Sequence, residues 1–337
     1  MHVDLSTLGL SAFALLGIAA AAGFYAAYVA RWVKLPSIIG YMAVGIVLGP
    51  SVLRLIDEAA VERFSFLTEV ALGFVAFSIG SELNMPSLKR QGIGIVSIIL
   101  AESFAAFVVV VIAVYLLTRD LPQALILGSM APASAPAGTV AVIQEYKARG
   151  SLTKALYAVV GFDDGLAIII FAFAVAAAKS LLIREATGTA SSIVSALWEP
   201  AREVGLSFLI GGIIGFVFCQ LVRRLESARD ILVILFAAVF IGIGLSIRWH
   251  LSLILTNMAV GFVLANMRSE ASVRRIAAPL LDVMPLVFIL FFFLAGAHLK
   301  VAALPSLGLL GVVYIVGRTT GLLGGAFLGG MLGHVEE

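Results

Sequence analysis

Two adjacent aspartates, Asp163 and Asp164, lie in the middle of a long apolar segment of this sequence. An ionisable side chain at membrane depth costs at least a few kcal/mol, and residues of this kind often take part in ion or proton movement. Neighbouring residues of a helix point about 100° apart, so the two carboxylates would serve different partners. One could face a water-filled cavity while the other meets a cation inside the protein. The alternative is a helix that breaks at Gly161 or Gly165 and leaves both carboxylates at an interface.

The preceding apolar segment contains the sequence MAPASAPAGT at residues 130–139. Its two prolines remove backbone donors and leave helical carbonyls unpaired in the middle of a predicted crossing. Irregular backbone at this depth requires protein or a wet cavity to satisfy it, and such breaks in transporters bind ions or their counter-charges. Ser134 and Thr139 could therefore add hydroxyl oxygens to a site for a hard cation. An ordinary proline kink, with both hydroxyls bonded to their own helix, is the alternative.

Glu102 and Arg318 are further charged residues within apolar segments. Buried charges persist when they are paired, so a salt bridge between these two side chains is the simplest expectation, and it could be purely structural. Alternatively, Arg318 compensates the charge of Asp163 and influences its protonation. The four histidines, at positions 2, 250, 298 and 334, have no metal-binding spacing, and no set of residues typical of an enzyme is present.

The elements that must position these residues are membrane helices. The chain has 337 residues, of which 61% are apolar and 12% charged, and its mean hydropathy is +1.11. About 20 mostly apolar residues cross a hydrocarbon core of roughly 30 Å, so the sequence predicts an all-α polytopic membrane protein. The net charge of +2 gives no indication of nucleic-acid binding. Eleven helices are predicted, at about 8–30, 36–50, 67–83, 91–118, 121–144, 152–178, 201–223, 230–247, 250–266, 281–299 and 306–331.

The basic residues favour one side of the predicted membrane protein. Apart from Arg318, 13 of the 22 Lys and Arg residues fall on one side and 8 on the other. The positive-inside rule predicts that the first side is cytoplasmic, which places the N-terminus outside.

Glycines four residues apart occur in two predicted helices. They are Gly211 and Gly215 in the seventh helix, and Gly321, Gly325 and Gly329 in the last. This spacing is more typical of close contacts between helices than of a ligand site.

An internal repeat relates the two halves of the sequence. The segment LPSIIGYMAVGIVLGP at 35–50 resembles LSLILTNMAVGFVLAN at 251–266, with an offset of 216 residues between the shared MAVG at 42 and 258. The same offset relates GSEL at 80–83 to GAHL at 296–299, and Glu102 to Arg318. An odd number of predicted crossings separates the two segments, so the repeats have opposite orientations. Inverted repeats are typical of secondary transporters, whose site lies between them near the midplane.

The repeat also predicts how the chain is organised. We expect a single transmembrane transporter domain over residues 1–337, with repeat one at about 8–178, a connecting helix at about 201–223, and repeat two at about 230–337. The offset pairs residue 337 with residue 121, so repeat two ends before partners for the helices at 121–144 and 152–178. Either the repeats are unequal, or the chain is a fragment without about two C-terminal helices. We expect the fragment, which would lack the opposite wall of the site.

An ordered set of motifs resembles the monovalent cation:proton antiporter superfamily over essentially the whole chain. The motifs are GIVLGP at 45–50, GSEL at 80–83, GTVAV at 138–142, GFDD at 161–164 and Gly317-Arg318 in a Gly-rich helix. The likeness is closer to the second branch, which contains bacterial sodium/proton antiporters and Kef-type proteins. It implies an inverted-repeat fold of thirteen helices, of which eleven are present here, with a dimerisation domain and a mobile core that carries two broken helices. The second broken helix is missing from this sequence.

The resemblance also implies a function. On the family pattern, Asp164 binds cation and proton in turn and Asp163 is its partner, and the Asp-Asp form is typical of sodium/proton exchangers. We expect a homodimeric antiporter of the inner (plasma) membrane, without a cofactor, that exchanges a monovalent cation, sodium first, for protons. Burial penalises the charged carboxylate and a bound cation favours it, so the two ligands exclude each other. A potassium/proton antiporter and a sodium-coupled symporter of an organic anion are the alternatives.

Overall fold

The structure is a computed structural model that describes residues 12–83, 85–134, 136–187 and 193–333. Eight of the described helices are long and apolar enough to cross a membrane, and two shorter apolar helices accompany them. The predicted all-α polytopic membrane fold is therefore confirmed. The helices of the described part are α1 (Ala12–Trp32), α2 (Ser37–Leu48), α3 (Glu58–Arg63), α4 (Ser65–Glu82), α5 (Met85–Thr118), α6 (Leu121–Ser129), α7 (Pro136–Glu145), α8 (Ser151–Thr187), α9 (Ile193–Val222), α10 (Ala228–Trp249), α11 (Leu253–Met267), α12 (Glu270–His298) and α13 (Leu304–Leu332).

All eleven predicted helices correspond to helices of the structure, and two differences account for the larger number observed. The predicted crossing at 121–144 is divided into α6 and α7, and the segment 51–66, expected to be a loop, contains the short α3. The carboxylate of Asp57 begins α3 by accepting a hydrogen bond from the Ala60 backbone N–H at 2.7 Å. This is the usual role of an aspartate immediately before a helix.

The predicted start of α12 at residue 281 is wrong, because the helix already begins at Glu270. The predicted helix left out Pro279 and the charged residues before it. The extra turns are stabilised locally: Ser269 caps the helix by accepting from the Ser272 N–H, and Glu270 pairs with Arg274 at 2.7 Å. Pairs four residues apart on one helix face support an exposed helix in this way.

Contacts between the two repeats follow the 216-residue offset. Four glycines lie so close to the backbone of another helix that a Cβ atom would overlap it. The pairs are Gly45 with Phe293, Gly261 with Phe77, Gly80 with Met258, and Gly296 with Met42. The 216-residue offset relates Gly45–Phe293 to Gly261–Phe77, and it relates Gly80–Met258 to Gly296–Met42 in the same way. The crossing of α2 with α12 is thus repeated by the crossing of α11 with α4, as an inverted-repeat fold requires.

The glycine stripe of α13 packs against α5. A Cβ atom added at each of three glycines would lie 2.6 Å from a Cα atom of α5. The pairs are Gly321 with Ala106, Gly325 with Glu102, and Gly329 with Ile98. The α5 residue number falls as the α13 number rises, so the two helices are antiparallel. Their axes can approach closely because each glycine presents only a hydrogen atom to the contact.

The helices form two bundles. The α5 bundle contains α5, α6, α8 and α13. Val110 and Val114 of α5 and Ala124 of α6 form a small core against which α13 packs. The α11 bundle contains α1, α2, α4 and α9 to α12. The half-helix α7 lies between them, in contact with α2, α4 and α8. The chain passes from the α11 bundle to the α5 bundle at residues 83–85 and again at 299–303.

Gly325→Ala is expected to destabilise the protein by about 1 to 3 kcal/mol, because the added methyl group overpacks the contact with α5. Gly324→Ala is the matched control, since no atom lies within 4 Å of a Cβ at that position. It should leave the melting temperature unchanged or raise it slightly, because alanine favours a helix over glycine. Thermal unfolding in detergent gives the melting temperatures of both variants. Equal melting temperatures of Gly325→Ala and Gly324→Ala would contradict the close packing of α5 and α13.

Candidate functional site

The structure contains the predicted interruption of the crossing at 121–144. α6 ends at Ser129, and α7 begins at Pro136 after an irregular segment. The backbone hydrogen bonds that end α6 join residues three apart rather than four. Met130 N–H donates to Leu127 O at 3.3 Å, and Ala131 N–H donates to Gly128 O at 3.0 Å. A helix end carries partial negative charge on its free carbonyls and a helix start carries partial positive charge on its free N–H groups. The break therefore places two opposite partial charges near each other, between α6 and α7.

Arg318 of α13 binds the carbonyls released by this break. Its Nε donates a hydrogen bond to Ala131 O at 3.0 Å, and one Nη donates to Ala133 O at 2.7 Å. A planar guanidinium can hold two acceptors at once, and a cation is favourable at the C-terminal end of a helix. Arg318 therefore satisfies two backbone carbonyls of the irregular segment.

The expected salt bridge between Glu102 and Arg318 is not formed in the structure, which describes both side chains. Two ion pairs in the described part of the chain are Glu270–Arg274 at 2.7 Å and Glu58–Lys300 at 3.1 Å, and all four of these side chains are exposed. Arg318 still acts on Glu102 electrostatically, from beyond ion-pair distance. The physical reason is orientation, because Nε and one Nη of Arg318 are directed at the two carbonyls of the break.

Asp163 lies in an unbroken helix, so the alternative of a break at Gly161 or Gly165 is wrong. Asp163 is 1% exposed, and its Oδ1 accepts a hydrogen bond from the Ser103 hydroxyl at 3.3 Å. Ser103 belongs to α5 and is itself fully buried. Sequence reasoning missed Ser103, although the adjacent polar pair it forms with Glu102 in an apolar helix was a usable signal. Asp164 is the next residue of α8, and its side chain lies outside the described part.

The Oγ of Ser134 is buried and has no hydrogen-bond partner among the described residues. Buried polar atoms are nearly always paired with protein, water or an ion. Thr139 is half-buried in the first turns of α7. Because α6 and α8 pack together, the break lies alongside the helix that carries both aspartates. A buried carboxylate and an unsatisfied hydroxyl are suitable ligands for a small hard cation.

Comparison with known proteins identifies the family of this fold and site. A model of the transmembrane part of sodium/hydrogen exchangers matches residues 17–334. The chain belongs to this family. The resemblance to the monovalent cation:proton antiporter superfamily is thereby confirmed.

Individual relatives are distant. The Na(+)/H(+) antiporter NhaG of Bacillus atrophaeus is 28% identical over 116 residues, which are 34% of this chain and 21% of that protein. The fold matches the sodium proton antiporter MjNhaP1 of Methanocaldococcus jannaschii at pH 8 with a TM-score of 0.70 and 18% identity, over 97% of this chain and 79% of that one. A structure of MjNhaP1 from electron microscopy matches with a TM-score of 0.76 and 17% identity, over 96% and 78%. At this identity the likeness supports the fold only.

Arg318→Ala is expected to destabilise this exchanger-family protein strongly, because Ala131 O and Ala133 O would lose their donors where water is scarce. Arg318→Lys should be intermediate, since an ammonium group cannot reproduce the two-pronged contact. Arg229→Ala, which removes an exposed arginine, is the control for loss of positive charge. Thermal unfolding of the three variants tests this, and a melting temperature of Arg318→Ala equal to that of the control would contradict the assigned role.

Proposed function

We propose that this protein is a secondary active antiporter that exchanges a monovalent cation, sodium first, for protons. Membership of the sodium/hydrogen exchanger family supports this class of transport. The observation that carries the proposal is the buried carboxylate of Asp163 in α8, next to a helix break with an unpartnered hydroxyl at Ser134. Such an arrangement gives a cation oxygen ligands at membrane depth without forming a permanent ion pair.

The proposed mechanism is competition at Asp164. A proton neutralises its carboxylate, while a cation stabilises the charged form, so the two ligands occupy the site in turn. Asp163 is the charge partner, and the hydrogen bond from Ser103 holds its carboxylate in a fixed position within the α5 bundle. Ser134 and Thr139 supply further oxygens from the broken helix. Arg318 keeps the break open by satisfying its carbonyls, and Glu102 balances that positive charge within the same bundle.

Alternating access requires contacts that form on one face and break on the other. A candidate for such a contact joins α7 to the start of α2. The carboxylate of Glu145 accepts hydrogen bonds from the Ser37 N–H at 2.9 Å and from the Ser37 hydroxyl at 2.6 Å. The distribution of Lys and Arg supports a cytoplasmic position for this end and an external N-terminus. Location in the plasma membrane is proposed on the family resemblance. A homodimer is proposed on the family resemblance alone.

Symport of an organic anion is less favoured by the structure. An anion site would need a free basic group within the membrane, and the donors of Arg318 are directed at the carbonyls of Ala131 and Ala133. Potassium remains the alternative cation, because selectivity depends on small differences in the size and number of oxygen ligands.

Asp164→Asn is expected to abolish cation-driven proton movement, because an amide neither releases a proton nor carries the compensating charge. The full chain, reconstituted in vesicles with a pH-sensitive dye, would be pulsed with sodium, lithium and potassium in turn. Sodium is expected to give the largest proton flux in the unchanged protein. Asp230→Asn makes the same chemical change at an exposed position in the first turn of α10 and should retain exchange. An active Asp164→Asn protein would rule out the mechanism.

Ser134→Ala is expected to raise the sodium KM while the melting temperature stays unchanged, because the hydroxyl has no partner to lose in the part of the chain that the structure describes. Ser129→Ala is the matched control at the end of α6. The Ser129 hydroxyl is buried but donates to Ile126 O at 2.7 Å, so its removal should affect stability and leave the sodium KM unchanged. Equal KM values in both variants and the unchanged protein would exclude Ser134 as a cation ligand.

A further inference from the structure

The side chain of Asn266 holds one connection between the two bundles. It lies in the last turn of α11, where Nδ2 donates to Leu83 O at 3.0 Å and Oδ1 accepts from the Met85 N–H at 2.7 Å. Leu83 and Met85 are the two ends of the short linker from α4 to α5. Nδ2 also donates to Phe262 O of its own helix at 2.7 Å, which fixes the orientation of the amide. A single side chain thus binds both ends of the linker.

Ser51, just after α2, holds a second connection in the same way. Its hydroxyl donates to Leu299 O at 2.5 Å and accepts from the Val301 N–H at 3.2 Å. Leu299 and Val301 belong to the linker from α12 to α13. The neighbouring pair of Lys300 and Glu58, at 3.1 Å, adds an ionic contact to the same linker.

The repeat offset relates these two sites. Adding 216 to Leu83 and Met85 gives Leu299 and Val301, the two residues that Ser51 binds. Asn266 corresponds to position 50, one residue before Ser51, at the end of the equivalent short helix. The sequence repeat does not reveal that the two contacts are equivalent, because one residue is asparagine and the other serine, and their positions differ by one in the repeat register. Since the repeats are inverted, the two linkers lie on opposite faces of the membrane.

We propose that Ser51 and Asn266 are a pair of pivot contacts that stay closed while the α5 bundle moves against the α11 bundle. Both contacts are present in the same structure. A gate that serves alternating access is closed on one face and open on the other, whereas these equivalent contacts are closed on both faces in one structure. This inference depends on the proposed transport function, and it assigns positioning roles to two residues outside the ion site.

Crosslinking distinguishes a pivot from a gate. In the full chain with Cys219→Ala, which removes the only cysteine, the pairs Ser51→Cys with Val301→Cys and Asn266→Cys with Met85→Cys replace each pivot by two thiols. A short thiol crosslinker should restore or preserve sodium/proton exchange in vesicles, and reduction should slow it. Ser37→Cys with Glu145→Cys is the matched comparison across the interface, where crosslinking should stop exchange. Loss of exchange on crosslinking either pivot pair would overturn the proposal.

Single substitutions give a second readout. Ser51→Ala and Asn266→Ala are expected to lower turnover about tenfold, as the loss of two hydrogen bonds at a pivot would, with an unchanged sodium KM. Ser51→Thr keeps the hydroxyl and should restore turnover, which a contact needed only for packing would not require. A raised KM, or no rescue by threonine, would contradict a positioning role.

Hydrogen–deuterium exchange tests the pivots without any transport assay. The Met85 and Val301 amides should exchange slowly both with and without sodium, at acidic and at alkaline pH, because the pivots do not open. Fast exchange of either amide in one of these conditions would overturn the pivots even in an active transporter. Absence of proton flux in the protein without substitutions would instead refute the proposed function. The protection of the two amides would still show whether the pivot contacts stay closed.

Discussion

A carbonyl that leaves a helix inside a membrane needs a donor, because little water is available there to replace the lost hydrogen bond. In this protein Arg318 meets that need at the break between α6 and α7. The arginine can reach the break because α13 approaches α5 closely, along the stripe that contains Gly321 and Gly325. The irregular segment, the unpartnered Ser134 hydroxyl and the proposed ion site all depend on this one interaction.

The glycine contacts between repeats explain how such a site can move. Gly45 against Phe293 and Gly261 against Phe77 build the α11 bundle from both repeats with the same geometry. The residues proposed to bind the cation lie on α8, which belongs to the α5 bundle, and on the broken helix beside it. The two aspartates and Arg318 therefore belong to the α5 bundle, on one side of the interface, and a displacement of that bundle would carry them together.

Local sequence patterns predicted the features that depend on local chemistry. Two prolines close together predicted the helix break, and an apolar flank on both sides predicted that Asp163 is buried within a helix. The partner of Arg318 could not be predicted, because opposite charges in the repeat register indicated Glu102. The prolines predict that carbonyls are released, but not which side chain binds them. The contact of Ser37 with Glu145 joins residues 108 positions apart and depends on how two helices meet. Whether Asp164, Thr139 and Ser134 share one cation stays a prediction.

The most direct test of the central claim is the sodium dependence of exchange measured at a series of pH values. Competition at one carboxylate predicts that the sodium KM rises in proportion to proton concentration on the acidic side, while the maximal rate at saturating sodium is maintained. Sodium would then reverse the inhibition by protons completely. A maximal rate that falls with acidity at a constant KM would contradict the account, because it would mean that protons and sodium bind at separate sites.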